Sequence, residues 1–221
     1  MIKIENVKKK YGKKEVLKNI SLEVEKGKCV GILGSNGSGK STLFGILAGV
    51  IKGDDGNFFY NDTELLKNEK ERSKILGYVP QNTPLFEELT ASDNLRLWYT
   101  KKELNYQLEN DVLAMLGIND FINVPVYKMS GGMKKRLAIG CAVADNPKIL
   151  LLDEPSAALD IVCKERISNY LLDFKKLGGT VLLATHDVQE LSICDSLYIL
   201  KNGVLNPYTF DGNVHRLAGS L

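Results

Sequence analysis

Hydrophobic and polar positions alternate near the start of the chain. Ile2 and Ile4 alternate with polar neighbours, and Ile20, Leu22 and Val24 do the same. A period of two is typical of strands with one buried face, so the pattern predicts antiparallel strands within the first thirty residues. An apolar run then predicts a short strand at 29–33, before a glycine-rich loop.

Beyond that loop, the pattern predicts a helix and two more strands, at 41–50, 57–60 and 75–79. A different pattern begins at Thr90, which has capping-box spacing with Asp93, where Asp replaces the usual Glu or Gln. This spacing predicts a helix that runs to residue 98. A second helix is predicted at 104–116, closed by Gly117.

The α/β pattern then resumes. Helices are predicted after Gly132 and at 160–177, strands at 149–152 and 180–184, and a hairpin turn at Asn202-Gly203. The middle section, about 84–130, has no strand pattern. We therefore expect a single domain over 1–221, in which 1–83 and 131–221 form an α/β core and about 84–130 form an inserted helical lobe.

Composition adds limits to this picture. The 221 residues are 44% hydrophobic, and 29 basic against 27 acidic residues leave a net charge of +2. Near-neutrality gives no reason to expect a nucleic-acid partner. A lysine-rich stretch near the N-terminus is expected to be the solvated face of a hairpin; it comprises Lys8, Lys9, Lys10, Lys13 and Lys14. Four scattered cysteines predict reduced, mostly buried thiols without a metal.

The glycine-rich loop carries the first candidate chemistry. It matches the phosphate-loop pattern G-x-x-x-x-G-K-[ST] in full, and with the next residue it comprises Gly34, Ser35, Asn36, Gly37, Ser38, Gly39, Lys40, Ser41 and Thr42. Glycines let backbone N–H groups converge on an oxyanion, and the following helix adds its positive end. Lys40 would bind the β- and γ-phosphates, and Ser41 would bind Mg²⁺. The alternative is a surface turn, but the strand before and the helix after favour an ATP site.

A carboxylate pair follows the predicted strand at 149–152. Asp153 and Glu154 would lie at the carboxyl edge of the sheet, where open α/β folds bind ligands. Asp153 suits Mg²⁺, and Glu154 suits polarisation of the water that attacks the γ-phosphate. By itself such a pair is more often a helix cap or a loop surface, so its interpretation depends on the phosphate loop.

Residues 129–137, Met-Ser-Gly-Gly-Met-Lys-Lys-Arg-Leu, resemble the signature motif of the ATP-binding cassette (ABC) ATPases. Other elements similar to those of the family follow the same order along nearly the whole chain: Tyr11, Gln81, Asp160 and His186. The resemblance implies that Tyr11 stacks on adenine and that Gln81 links Mg²⁺ to the helical lobe. It also places Asp160 in the D-loop and His186 at the γ-phosphate. The alternatives are a half-buried strand tyrosine, a turn glutamine and a helix-start histidine.

The resemblance also implies an architecture and partners. The expected fold is a P-loop NTPase core, with a mixed sheet flanked by helices, an antiparallel N-terminal β-subdomain and an inserted α-helical subdomain. In the family, ATP lies between the phosphate loop of one subunit and the signature motif of a second, here Ser130, Gly131 and Gly132. These three residues could otherwise be an ordinary helix cap. An integral membrane permease is the further expected partner.

The function that follows is an ATPase subunit at the cytoplasmic face of a membrane, peripheral and soluble when isolated. Many relatives have Gln where this chain has Met133, and Ser-Gly-Gly-Met followed by basic residues resembles the branch that exports drugs, peptides or other amphiphiles. An importer ATPase, or an ABC ATPase acting on ribosomes or DNA, stays open as an alternative. A small-molecule kinase would share only the phosphate loop.

Overall fold

The computed structural model describes residues 1–157, 159–185 and 187–221. Its strands are β1 (Ile2–Tyr11), β2 (Lys14–Val24), β3 (Cys29–Leu33), β4 (Asp55–Tyr60), β5 (Thr63–Glu64), β6 (Leu76–Val79), β7 (Ile149–Asp153), β8 (Thr180–Ala184), β9 (Ser196–Lys201) and β10 (Val204–Tyr208). Its α-helices are α1 (Lys40–Ala48), α2 (Glu69–Ile75), α3 (Ala91–Leu95), α4 (Lys101–Asn110), α5 (Val112–Met115), α6 (Gly131–Ala142), α7 (Ile161–Lys176), α8 (Val188–Leu191) and α9 (Val214–Ser220).

A six-stranded sheet forms the centre of the molecule, in the order β10-β9-β3-β8-β7-β6. Its strands are parallel except for β10, which pairs with β9 as an antiparallel hairpin. Asn202 and Gly203 turn this hairpin with positive φ values of 54° and 77°, as the Asn-Gly pair predicted. Because β3 and β7 both run parallel to β8, which lies between them, their carboxyl ends lie at the same edge of the sheet. The phosphate loop and Asp153 are therefore brought to that edge.

The second sheet is antiparallel, in the order β2-β1-β4-β5. Ile2, Ile4 and Val7 of β1 face the interior, which confirms the alternating pattern. The N-terminal lysines form ion pairs: Lys8 with Asp55, Lys9 with Asp54 and Lys10 with Glu15. Exposed pairs of this kind contribute little to stability, so this stretch is a solvated face, as expected.

Two large hydrophobic clusters lie on either side of the central sheet. Leu150 and Leu152 of β7 point into the cluster shared by α6, α7 and residues 91–126, whereas Ile149 and Leu151 point into the cluster of α1 and the antiparallel sheet. Because alternate residues serve two cores, β7 is apolar along its whole length. No helix in the described part of the chain is long and apolar enough to span a bilayer.

The helical region differs from the prediction in its boundaries. The Thr90–Asp93 capping box is present, but α3 ends at Leu95 rather than at residue 98. The backbone tightens there, because Leu97 and Trp98 donate to carbonyls only three residues back. A second capping box follows at once, formed by Thr100 and Glu103, and starts α4 earlier than predicted.

The predicted helix at 104–116 is two helices. The chain leaves helical geometry at Asp111, where φ is −140° and ψ is −147°, so α4 ends and α5 begins there. The Gln107 side chain donates to the Asp111 carboxylate at 3.1 Å. Gly117 follows with a φ of 63°, in the left-handed conformation expected after a helix. Two 3₁₀ turns, Ile118–Phe121 and Val126–Lys128, complete the region before α6.

Several elements were not predicted, namely β5, α2, α8 and α9. The four cysteines are free, as expected, and Cys29 and Cys163 are buried. Two of them are far apart in the sequence but close in space, because the sulfur atoms of Cys29 and Cys194 lie 3.7 Å apart where β3 and β9 begin.

Candidate functional site

The phosphate loop connects the end of β3 to the start of α1. Gly37 and Gly39 have φ values of 77° and 109°, a backbone region that favours glycine. A Cβ at Gly39 would also lie 2.9 Å from a methyl group of Val16. Gly39 is the N-cap of α1, so the cap is a residue without a side chain. The first N–H groups of α1 therefore have no side-chain cap, which is the arrangement that the predicted binding of an anion requires.

Lys40 crosses the loop that precedes it. Its Nζ donates to the carbonyl oxygens of Gly34 at 2.6 Å and Ser35 at 3.3 Å. The side chain is only 6% exposed. Burial lowers the Lys40 pKa, and the negative charges of Glu154 and Asp153 oppose that effect. The cation is thus held against the backbone of the loop.

An open cavity of about 480 Å³ lies over the loop. Ser35, Asn36, Gly37 and Ser38 line one side, and the lysines on the other side are Lys14, Lys18 and Lys201. Ser41 is exposed and Thr42 is half-buried at the start of α1.

Tyr11 is not among the residues that line this cavity. The residue is 49% exposed, and Lys9 Nζ lies 5.2 Å from the centre of its ring. Its contact with adenine stays a prediction.

The carboxylates end β7 beside this loop. Asp153 is 1% exposed, and its Oδ1 has no hydrogen-bond partner among the described residues. Burial raises the Asp153 pKa, while a hydrogen bond with Ser41 and the charge of Lys40 oppose the rise. Ser41, Lys40 and Asp153 are therefore brought together, as the sequence predicted.

Glu154 has a constrained position. It has a φ of 51°, in the left-handed region that residues other than glycine rarely adopt. Its backbone N–H donates to Ala184 of β8 at 2.9 Å. Gln81, which follows β6, donates from its side-chain amide to Glu154 Oε2 at 3.0 Å. The structure thus brings together two predicted site residues that are 73 positions apart.

The signature residues start α6. Ser130 is the N-cap, and its hydroxyl accepts a hydrogen bond from the Met133 N–H at 3.2 Å. A Cβ at Gly131 would meet no described heavy atom within 4 Å, whereas one at Gly132 would lie 2.9 Å from the Cys163 sulfur. Gly132 therefore permits α6 to pack on α7, and Gly131 faces open space.

Asp160 caps α7, where its carboxylate accepts a hydrogen bond from the Cys163 N–H at 2.8 Å. This contact gives Asp160 a structural role, and its predicted role in the D-loop stays a prediction. His186 lies outside the described residues. Its neighbour Asp187 starts α8 and forms an ion pair with Lys164.

Three buried charges in the described part of the chain were not predicted. Lys135 and Arg136 of α6 and Glu190 of α8 are 6%, 8% and 3% exposed. Lys135 lies three residues after Gly132 and four before Ile139, both of which are buried. Helical spacing alone therefore places it on the same face as the apolar residues of α6.

Comparisons with known proteins agree with this geometry. The family model described as ABC transporter matches residues 17–157. The linearmycin resistance ATP-binding protein LnrL of Bacillus subtilis is 33% identical over 92% of this chain and 67% of its own length. The methionine import ATP-binding protein MetN of Clostridioides difficile is 38% identical over 92% of this chain and 66% of its length. The chain thus spans about two thirds of both relatives.

A relative of similar length is the lantibiotic transport ATP-binding protein SrtF of Streptococcus pyogenes, which is 30% identical over 96% of this chain and 93% of its own. Among solved structures, the ATP-binding cassette MJ0796, a dimer in a post-hydrolysis state bound to ADP and Pi, has a TM-score of 0.82 and 30% identity over 96% of this chain and all of its own. The chain therefore belongs to the ABC transporter family and is an ATP-binding, ATP-hydrolysing subunit of that family.

Proposed function

We propose that two copies of an ABC subunit, at least one of them this chain, enclose ATP head to tail. The phosphate loop of one copy and residues 130–132 of the other would bind each nucleotide. The observation that carries the proposal is that α1 begins without a side-chain cap beside the carboxylates, whereas α6 begins at Gly131, which faces open space. The dimeric cassette bound to ADP and Pi supports it, as a relative.

Within one copy, the roles follow from the contacts. The backbone of 34–39 and the first turn of α1 would bind the phosphates, and Lys40 would exchange its carbonyl partners for phosphate oxygens. Glu154, held by Gln81 and by its own backbone, would orient the attacking water. Tyr11 at adenine, His186 at the γ-phosphate and Asp160 near the second copy remain part of the proposal from the family resemblance.

Ser41, Asp153 and Gln81 would hold Mg²⁺. The residues fit the ion, because all three offer hard oxygen ligands and Asp153 Oδ1 is buried without a described partner. No cluster of three or more His, Cys, Asp or Glu suited to a metal occurs among the described residues, which agrees with an ion bound mainly by phosphates and water. When bound, Mg²⁺ supplies neutralisation of the phosphate charge.

A surface next to Gln81 suggests where a membrane permease binds. A cavity of about 260 Å³ lies between the end of β6, α3 and α6, and its lining includes Pro80. Three lining side chains, Phe86, Leu97 and Trp98, are more than half exposed. Exposed apolar groups of this size are typical of an interaction surface. We propose that residues 84–130 form a lobe that carries a permease segment and moves against the core of 1–83 and 131–221.

Export is the proposed direction, with a drug, peptide or other amphiphile as substrate. LnrL and SrtF, whose names refer to linearmycin resistance and lantibiotic transport, support it. Import is the second candidate, because MetN has the higher identity of 38%. Uptake into inverted membrane vesicles that contain the chain and its co-purified permease would support export. Co-purification with ribosomes or DNA in place of a membrane protein would overturn both.

Glu154→Gln tests the proposed site. We expect the ATPase rate to fall on the order of 10²–10⁴-fold, while ATP binding persists and ATP drives dimer formation, measured by light scattering. Glu165→Gln, at an exposed position of α7, is the matched control and should turn over normally. Unimpaired hydrolysis by Glu154→Gln contradicts the role of Glu154. A variant that binds ATP and stays monomeric contradicts the head-to-tail enclosure.

A further inference from the structure

We propose that Lys135 is a positioning residue for ATP hydrolysis: it fixes the backbone that carries Gln81, and through Gln81 it sets the position of Glu154. The inference rests on the proposed function of Gln81 and Glu154. It assigns to α6, in the same subunit, a role in the hydrolytic site that differs from the binding of a partner's nucleotide by residues 130–132.

The first observation is the burial of the Lys135 cation. The residue is 6% exposed, and its Nζ donates to the backbone carbonyl oxygens of Pro80 at 3.2 Å and Gln81 at 3.1 Å. A buried ammonium group is costly unless its protons are bound, so these two bonds hold the Lys135 side chain and the 80–81 backbone against each other.

The surrounding charges keep this cation in place. Burial lowers the pKa of Lys135, and the negative charges of Asp153, Glu154 and Glu190 counteract that effect. Three acidic residues from the end of β7 and from α8 thus favour a positive charge at this point. These charges offset part of the cost of burying the Lys135 cation, and the two carbonyl oxygens bind its protons.

The second observation is the contact that continues from Gln81. Its side-chain amide donates to Glu154 Oε2 at 3.0 Å. The Gln81 residue itself is exposed, and an exposed glutamine has many rotamers unless its backbone is fixed. By fixing the carbonyl of Gln81, Lys135 reduces the range of positions from which the amide reaches Glu154. Three elements are joined in this way: α6, the segment after β6 and the end of β7.

The neighbouring lysine, Lys134, does not share the partners of Lys135. Lys134 lies on the same helix, but its Nζ binds both oxygens of Glu87 at 2.9 Å, on the surface of the helical region. Lys134 therefore supplies a matched control with the same side chain and the same helix but different partners.

A double-mutant cycle in the full-length chain tests the inference. The kcat and KM for ATP are measured for Lys135→Met, for Gln81→Ala and for the double variant. We expect Lys135→Met to lower kcat on the order of 10- to 10²-fold with KM nearly unchanged, because misplacement of a catalytic group affects the chemical step. In the Gln81→Ala background, Lys135→Met should cause little further loss. Lys135→Arg, which keeps a cation and its donors, should retain more of kcat than Lys135→Met, and Lys134→Met should match the parent.

The outcomes separate this inference from the proposed function. Gln81→Ala with unchanged kcat overturns the role of Gln81 and, with it, the inference. An impaired Gln81→Ala together with an unimpaired Lys135→Met, or losses that multiply in the double variant, overturns the inference alone. A rise in KM at constant kcat overturns it too. If Lys135→Met does not fold, the cycle is run with Lys135→Gln, and the same outcomes apply.

Discussion

The N-termini of α1 and α6 are alike in sequence but differ in their caps and their surroundings. Both helices begin at a glycine-rich segment, but Gly39 caps α1 without a side chain, whereas the Ser130 hydroxyl caps α6. The end of α1 is surrounded by groups of its own chain, including Lys40 and Asp153. The end of α6 faces open space at Gly131. The difference is the one that the proposed dimer requires, with a phosphate cradle at α1 and half of a second site at α6.

The cations near the two helix ends differ in the partners that they bind. Lys40 binds loop carbonyls that phosphate oxygens can replace. The three cations that follow the start of α6 are already bound to other parts of the chain: Lys134 to Glu87, Lys135 to the 80–81 carbonyls, and Arg136 to the carbonyls of Leu116 and Gly117. Lys135 and Arg136, which are buried, anchor the helix, whereas the Lys134–Glu87 pair lies on the surface. In the proposed dimer, the first backbone N–H groups of α6 and the Ser130 hydroxyl would bind the nucleotide.

Among the variants that test the comparison between the two helix ends, Lys40→Met has the largest expected effect. Removal of the buried cation should lower the ATPase rate on the order of 10²–10³-fold, as the loss of one charge-stabilising donor does elsewhere. ATP affinity should also fall, measured with a fluorescent nucleotide. Lys52→Met, at an exposed position after α1, is the control. Normal turnover by Lys40→Met would refute the view of the α1 end as the phosphate cradle.

The second prediction concerns Gly131→Glu. A carboxylate at the start of a helix is favourable for the helix itself, so thermal stability should be kept. Placed opposite a bound triphosphate it would repel the nucleotide, and a like-charge contact of several kcal/mol corresponds to a loss of activity on the order of 10²-fold. The ATPase rate, the melting temperature and the ATP affinity of the monomer are the measurements.

Gly131→Ala is the control for this prediction, because a Cβ at that position meets no described atom. It should be nearly neutral in stability and should retain most activity. If Gly131→Glu hydrolyses ATP like the parent, the α6 end does not face a nucleotide, and the comparison between the two helix ends fails. If its monomer loses ATP affinity, the α6 end acts within one chain rather than across a dimer.

Features that depend on local sequence were predicted correctly. The phosphate loop, the Asn202-Gly203 turn and the left-handed Gly117 each follow from residues within a few positions. The prediction of β7 as a buried strand was also correct, because the strand is apolar on both faces. The two hydrophobic clusters on either side of the sheet explain why both faces are apolar.

Two helix boundaries and one buried lysine were missed. The Thr100–Glu103 box obeys the same local rule as Thr90–Asp93, could have been found from the sequence, and starts α4 earlier. The break at Asp111 divides a pattern that predicts one helix. Lys135 is buried because carbonyls 54 and 55 positions away accept its protons. Helical spacing places Lys135 on the apolar face of α6, but its partners in the 80–81 backbone are known only once the fold brings the two segments together.

Ser130→Ala has the smallest expected effect, and it separates two roles of Ser130. Loss of the Ser130 bond to the Met133 N–H should destabilise the chain by about 1 kcal/mol, a fall in melting temperature of about 2–4 °C for a chain of this size. Thr100→Ala removes the equivalent cap from α4, on an exposed part of the helical region, and should cost a similar amount. The two variants should differ in ATPase rate, because only the Ser130 hydroxyl would also donate a hydrogen bond to a phosphate across the dimer. Equal melting shifts with a lower rate in Ser130→Ala alone support both roles. Equal rates would reduce Ser130 to a helix cap, and the binding capacity of α6 would then rest on its backbone.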